Sequence, residues 1–107
     1  MTRMWPVKPR NLCDQHLLGE HAELHQEVGQ IRAGNLASVE GHAEAGQVAT
    51  ALIQERHDEL AQELERRGFN HHSPLDYDDE LDMGDLDPEA VGELRRRCED
   101  CSARIRK

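Results

Sequence analysis

LCDQHLLGEHAELHQEVG, residues 12–29, decides how this chain folds. At 100° per residue, Leu17, Leu24, Val28 and Ile31 fall on one stripe, while His16, Glu20, Glu23 and Glu27 fall together beside it. The stretch is therefore a helix that carries a packing face and a row of titratable groups. Asp14 precedes the apolar period and is expected to cap the helix, accepting orphan N–H bonds of the first turn. On composition alone the carboxylate row reads as a solvated acidic face.

Around this helix the 107 residues suffice for one domain, with a core modest in size. A single Phe, Tyr and Trp leave the core to Leu, Val, Ile and Ala, which favours packed helices over a sandwich. The fold class expected is all-α: three helices at about 14–33, 47–67 and 88–105, in one domain spanning 1–107. Pro6 and Pro9 keep the N-terminal segment extended, with Met4 and Trp5 as anchors. Gly34, Asn35, Gly41 and Gly46 make Arg32 to Gly46 a connection with at most one short helical turn. Ala49, Ile53, Leu60 and Leu64 share the face of the second helix with Arg56, and Arg66-Arg67-Gly68 reads as its end. Asp87-Pro88-Glu89 opens the third helix, whose seam is Val91, Leu94, Cys98, Cys101 and Ile105.

The net charge of −9 is unevenly placed. Residues 1–35 balance, 36–75 carry −4, 76–90 carry −8 with no basic residue, and 91–107 carry +3. The acidic loop 76–87 reads as a solvated linker, since the spacing and closing Glu of an EF-hand are missing. Global acidity argues against phosphate binding, yet its concentration in one segment leaves a basic face available elsewhere. No apolar run reaches the roughly 18 residues of a membrane span, and no signal-peptide core is present. A cytoplasmic protein without membrane contact is expected. Three cysteines, an odd number, speak for reduced thiols or a metal site over a disulfide framework.

Several constellations could carry chemistry. Cys13-x-x-His16 and Cys98-x-x-Cys101 together offer the ligand set of a Cys₃His zinc site. The same cysteines also suit apolar seams as small hydrophobes, so both readings stand. His21 and His25, at i and i+4, could grip a metal and, with Glu23, serve a metal-dependent hydrolase. His71-His72 reads as a loop pair with no special role. Thr2 is small enough for removal of Met1, which would expose an α-amine of pKa about 7.7–8.0, a competent nucleophile toward carbonyl carbon. A nearby carboxylate such as Glu23 could move protons for it and stabilise positive charge on a sugar ring.

Met1-Thr2-Arg3, then Leu12-x-Asp14-Gln15-His16-Leu17-x-x-Glu20-x-x-Glu23-Leu24 with Gly29, resembles the pyrimidine-dimer DNA glycosylase and abasic-site lyase family, the phage endonuclease V type. Arg67-Gly68-Phe69-Asn70 resembles the end of that family's second helix. The resemblance implies helices with the N-terminal segment threaded among them and a cofactor-free reaction on damaged double-stranded DNA. Thr2 would be the nucleophile, its amine attacking the sugar C1′ to form a Schiff base, and Glu23 the acid/base. Arg3, His16 and Gln15 would contact the abasic DNA; Arg56 is added to the DNA-binding residues from its place on the inner face of the second helix, as a partner for the helix-one carboxylates. Ala22 and Gln26 stand where the family carries arginines, which weakens duplex grip on that helix. The competing expectation is a nonenzymatic helical scaffold, zinc-stapled by Cys13, His16, Cys98 and Cys101, that binds a protein or nucleic-acid partner. Nothing in the sequence sets the oligomeric state.

Overall fold

The computed structural model describes residues 3–69, 74–77 and 83–105. Among them are five α-helices and no strand: α1 (Asp14–Arg32), α2 (Leu36–Glu44), α3 (Ile53–Arg66), α4 (Ala90–Arg97) and α5 (Glu99–Ile105). Short 3-10 turns lie at Pro9–Asn11 and Thr50–Leu52. The protein is all-α, as expected. No described helix is long and apolar enough to cross a membrane.

α1 and α3 form the central packed pair. Leu17, Leu24 and Val28 of α1 meet Ile53, Leu60 and Leu64 of α3 in one buried cluster, with Ile31 at its edge. Met4 and Trp5 are buried in that cluster as well, so the N-terminal segment does thread among the helices. The Met4 N–H donates to the Gln47 carbonyl at 2.7 Å, which fastens the segment to the connection ahead of α3. α3 begins at Ile53 and not near residue 47, because the chain first makes the 3-10 turn Thr50–Leu52, and it stops at Gly68, as its sequence predicts. With φ of 88° Gly68 adopts the left-handed turn, and the Gly68 and Phe69 N–H groups return to the Glu65 and Leu64 carbonyls at 3.0 and 2.9 Å.

Four local expectations are corrected. Cys13 is the N-cap residue of α1 and makes no side-chain cap bond, while Asp14 lies inside the first turn and accepts from Arg67 Nη1 at 2.9 Å. The segment 36–44 is a nine-residue helix, α2, because Val39 and Ala43 form a buried i, i+4 pair that the surrounding glycines obscure. The third expected helix is two helices, broken at Cys98, whose φ of −138° and ψ of 110° are extended. The described end of the acidic loop is docked. Thr50 N–H donates to the Met83 carbonyl at 3.0 Å, Met83 N–H to Thr50 Oγ1 at 2.8 Å, and Asp87 N–H to the Gly46 carbonyl at 3.1 Å. Residues 78–82 lie outside the described residues.

Gly84 is what lets that loop approach. It has φ of 78°, and a Cβ there would stand 2.5 Å from the Val48 carbonyl oxygen and 2.7 Å from Ala43 Cβ. Gly84→Ala is expected to lower stability by at least about 1–2 kcal/mol, the cost of a left-handed L-residue, before the clash is added. Urea unfolding reads this as a lower midpoint, and an unchanged midpoint would mean that the loop is not seated this way.

Arg67 clamps the turn ahead of α1. Its Nη2 donates to the Leu12 carbonyl at 2.7 Å and its Nε to Glu63 at 2.7 Å, while Arg66 bonds the same carboxylate. The Arg66 guanidinium, against burial and with help from Arg67, holds the Glu63 carboxyl down to about 2 from an ordinary 4.5. A depressed folded-state value contributes stability in full above the ordinary value, and that stability disappears as pH falls toward the depressed one. Glu63→Gln is therefore expected to be less stable than wild type at neutral pH, with the gap closing between pH 4.5 and about 2. Thermal melts across that window test it; a gap independent of pH contradicts it.

Candidate active site

The N-terminal segment is held by α1 carboxylates that the helix period places on its inner side. Glu20 and Glu27 are each 1% exposed, so the row is not a solvated face. Glu20 accepts the Trp5 N–H at 3.2 Å and a two-pronged bond from Arg56, Nε at 2.5 Å and Nη2 at 3.0 Å. Arg56 also donates to the Val7 carbonyl at 2.7 Å. Burial lifts the Glu20 carboxyl above its ordinary value, and the Arg56 guanidinium opposes that lift. One ion pair between α1 and α3 thus fixes the backbone at both residue 5 and residue 7.

One turn along α1, Glu23 accepts the backbone N–H of Arg3. Burial pushes its carboxyl up, and that hydrogen bond and the nearby His42 offset part of the rise. A partly desolvated carboxyl with a raised value is a stronger base than an exposed glutamate, which suits proton transfer. Glu27 takes His42 Nδ1 of α2 at 2.9 Å. The Arg3 guanidinium lies 4.2 Å from the Trp5 ring centroid and forms a two-pronged pair with Glu93 of α4, Nη1 at 3.2 Å. Three helices, α1, α3 and α4, therefore converge on residues 3–7. Thr2 lies outside the described residues.

Two clusters of metal-ligating side chains flank this region. Cys13 Sγ is 3.2 Å from His16 Nδ1 and 3.8 Å from Cys98 Sγ, and Cys101 Sγ is 3.6 Å from His16 Nδ1. Burial lowers His16, with Arg97 adding to the effect, and pushes the Cys101 thiol up to about 12. Burial also raises Cys98, yet hydrogen bonds from the Cys101 and Asp100 backbone and from Cys13 bring it below its ordinary value. The second cluster joins His21 and His25 to His57 of α3, with the His25 and His57 Nε2 atoms 3.2 Å apart. Asp58 holds His57 Nδ1 at 3.0 Å. The side chain that joins the His21 and His25 pair in this cluster is His57.

The residues singled out in the sequence fall into separate places. Arg3, Glu23 and Arg56 meet at the N-terminal segment, His16 faces the cysteines with its ring 6.1 Å from that of Trp5, and Gln15 is exposed at the start of α1. Sequence reading missed Glu93, His42 and His57. For His57 a signal was present: it borders Arg56 on the buried face of α3, where a polar residue needs a partner. Glu93 and His42 reach the site from helices whose placement no local pattern encodes. His71 and His72 lie outside the described residues.

A family model described as pyrimidine dimer DNA glycosylase matches residues 1–77. No curated protein and no solved structure matches the chain.

Proposed function

The chain belongs to the pyrimidine dimer DNA glycosylase family, and from that premise we propose that it removes damaged bases from double-stranded DNA in the cytoplasm and cleaves the resulting abasic strand. The nucleophile is the α-amine of Thr2, exposed once Met1 is removed. Its nitrogen lone pair attacks C1′ of the damaged nucleotide, the glycosidic bond breaks, and the base leaves with the bonding pair and takes up a proton. Loss of the amine proton and opening of the sugar give a protonated imine. Removal of a C2′ proton then expels the 3′ phosphate with its bonding pair, and water releases the amine.

Glu23 is the group that moves these protons and stabilises the cationic sugar. The observation that carries this assignment is its hydrogen bond to the Arg3 N–H. Only three covalent bonds separate that amide nitrogen from the α-nitrogen of residue 2, a span of about 4 Å at most. A carboxylate gripping the amide of residue 3 is thus within reach of the amine. Arg3 and Gln15 belong to the DNA-facing side in this reading, whereas His16 faces the cysteines and Arg56 acts as a positioning residue through Glu20 and Val7. Exposed Lys8, Arg10, Arg95 and Arg96 are the phosphate contacts that stand in for the missing helix-one arginines. The nucleotide must leave the stack for the amine to reach C1′, which costs least at a damaged pair.

Borohydride trapping on an oligonucleotide with an abasic site tests the mechanism. Reduction of the imine C=N should leave a covalent adduct on the Thr2 nitrogen of protein whose intact mass lacks Met1. No adduct from such protein, under conditions that trap a known imine-forming lyase, overturns the reading.

A further inference from the structure

We propose that Cys13, His16, Cys98 and Cys101 bind one zinc ion, which staples the α4–α5 pair to the start of α1. This site is independent of the amine chemistry and takes no part in it. The four ligand atoms lie within 4.8 Å of one another. A tetrahedral zinc with Zn–S near 2.3 Å and Zn–N near 2.0–2.1 Å sets S···S at about 3.8 Å and S···N at about 3.6 Å. The protein has 3.8 Å between Cys13 and Cys98 sulfurs, and 3.2 and 3.6 Å from His16 Nδ1 to the Cys13 and Cys101 sulfurs. The 3.8 Å separation is far too long for a disulfide, whose sulfurs stand about 2.05 Å apart.

The backbone around the cluster is built for thiolates. Cys13 N–H donates to Cys101 Sγ at 3.2 Å, and Cys101 N–H donates to Cys98 Sγ at 3.4 Å. Such bonds orient sulfur ligands and stabilise their charge. The helix break at Cys98 has a purpose here. In its extended conformation Cys98 ends α4 and lets its sulfur join that of Cys101, one turn into α5, beside Cys13. Three soft sulfurs and an imidazole in a closed set favour zinc in a structural role. The matched family region ends at residue 77, and the staple fastens the helices beyond it, one of which brings Glu93 to Arg3.

The full chain, purified reduced and stripped with a chelator, is titrated with Co²⁺ as a spectroscopic probe. Thiolate-to-cobalt charge transfer should rise to saturation at one equivalent per chain and vanish as Zn²⁺ displaces the cobalt. The imidazole cluster of His21, His25 and His57 has no sulfur and cannot produce that band. Cys98→Ser, at a half-exposed position, should weaken or remove it, and Zn²⁺ should slow hydrogen exchange across residues 90–105 of wild type. Absence of the band in wild type, or an undiminished band in Cys98→Ser, overturns the site. Because the wild-type titration needs no variant, a misfolded mutant leaves the test decisive.

Discussion

Glu23→Gln is expected to slow strand cleavage at an abasic site by about 10²–10⁴-fold, the usual worth of a positioned acid/base. Glutamine is nearly the same size, and its amide oxygen can still accept the Arg3 N–H. The fold should survive the change while proton transfer does not. The pH profile separates the two roles. Burial raises the Glu23 carboxyl above its ordinary 4.5, so its protonated form persists to higher pH than for an exposed glutamate. Steps that need the base speed up as pH rises through that raised value, and steps that need the acid slow down. Wild-type single-turnover rates should therefore show an ionisation above 4.5 that the glutamine variant lacks. A variant within a few-fold of wild type, with melting unchanged, would remove Glu23 from the chemistry.

Arg56→Ala should cost about 3–5 kcal/mol of stability, the loss found when one partner of a buried ion pair is removed. Glu20 would be left 1% exposed with no counter-charge, and the Val7 carbonyl would lose its donor. Neutralising Glu20 in the same chain should recover part of the loss, since the residual penalty is mostly that of the stranded charge. Urea unfolding of Arg56→Ala and of Arg56→Ala with Glu20→Gln checks both statements. Equal stability of Arg56→Ala and wild type would show that the pair is dispensable. The functional corollary is that imine trapping falls with Arg56 removed even at temperatures where the variant stays folded, because Trp5 and Val7 no longer hold the N-terminal segment in register with Glu23.

By itself the sequence determined the helical class, the two central helices, the stop at Gly68 and the buried anchors Met4 and Trp5, together with the family. Each is a local or periodic property: a 3.6-residue apolar repeat, a glycine able to turn left-handed, a pair of prolines three apart that keep the N-terminal segment from being helical throughout. Only the tertiary structure decided what the charged residues do. Along α1, Glu20, Glu23 and Glu27 are equivalent carboxylates, and their different fates come from what the other segments bring to them: Arg56, the Arg3 amide and His42. The same holds for the cysteines, which read equally well as seam hydrophobes until Cys98 leaves the helix and the thiols meet His16. Burial of a charge is tolerated only against a partner, and for the α1 carboxylates those partners lie 15 to 36 residues away in the chain, beyond the reach of any local pattern.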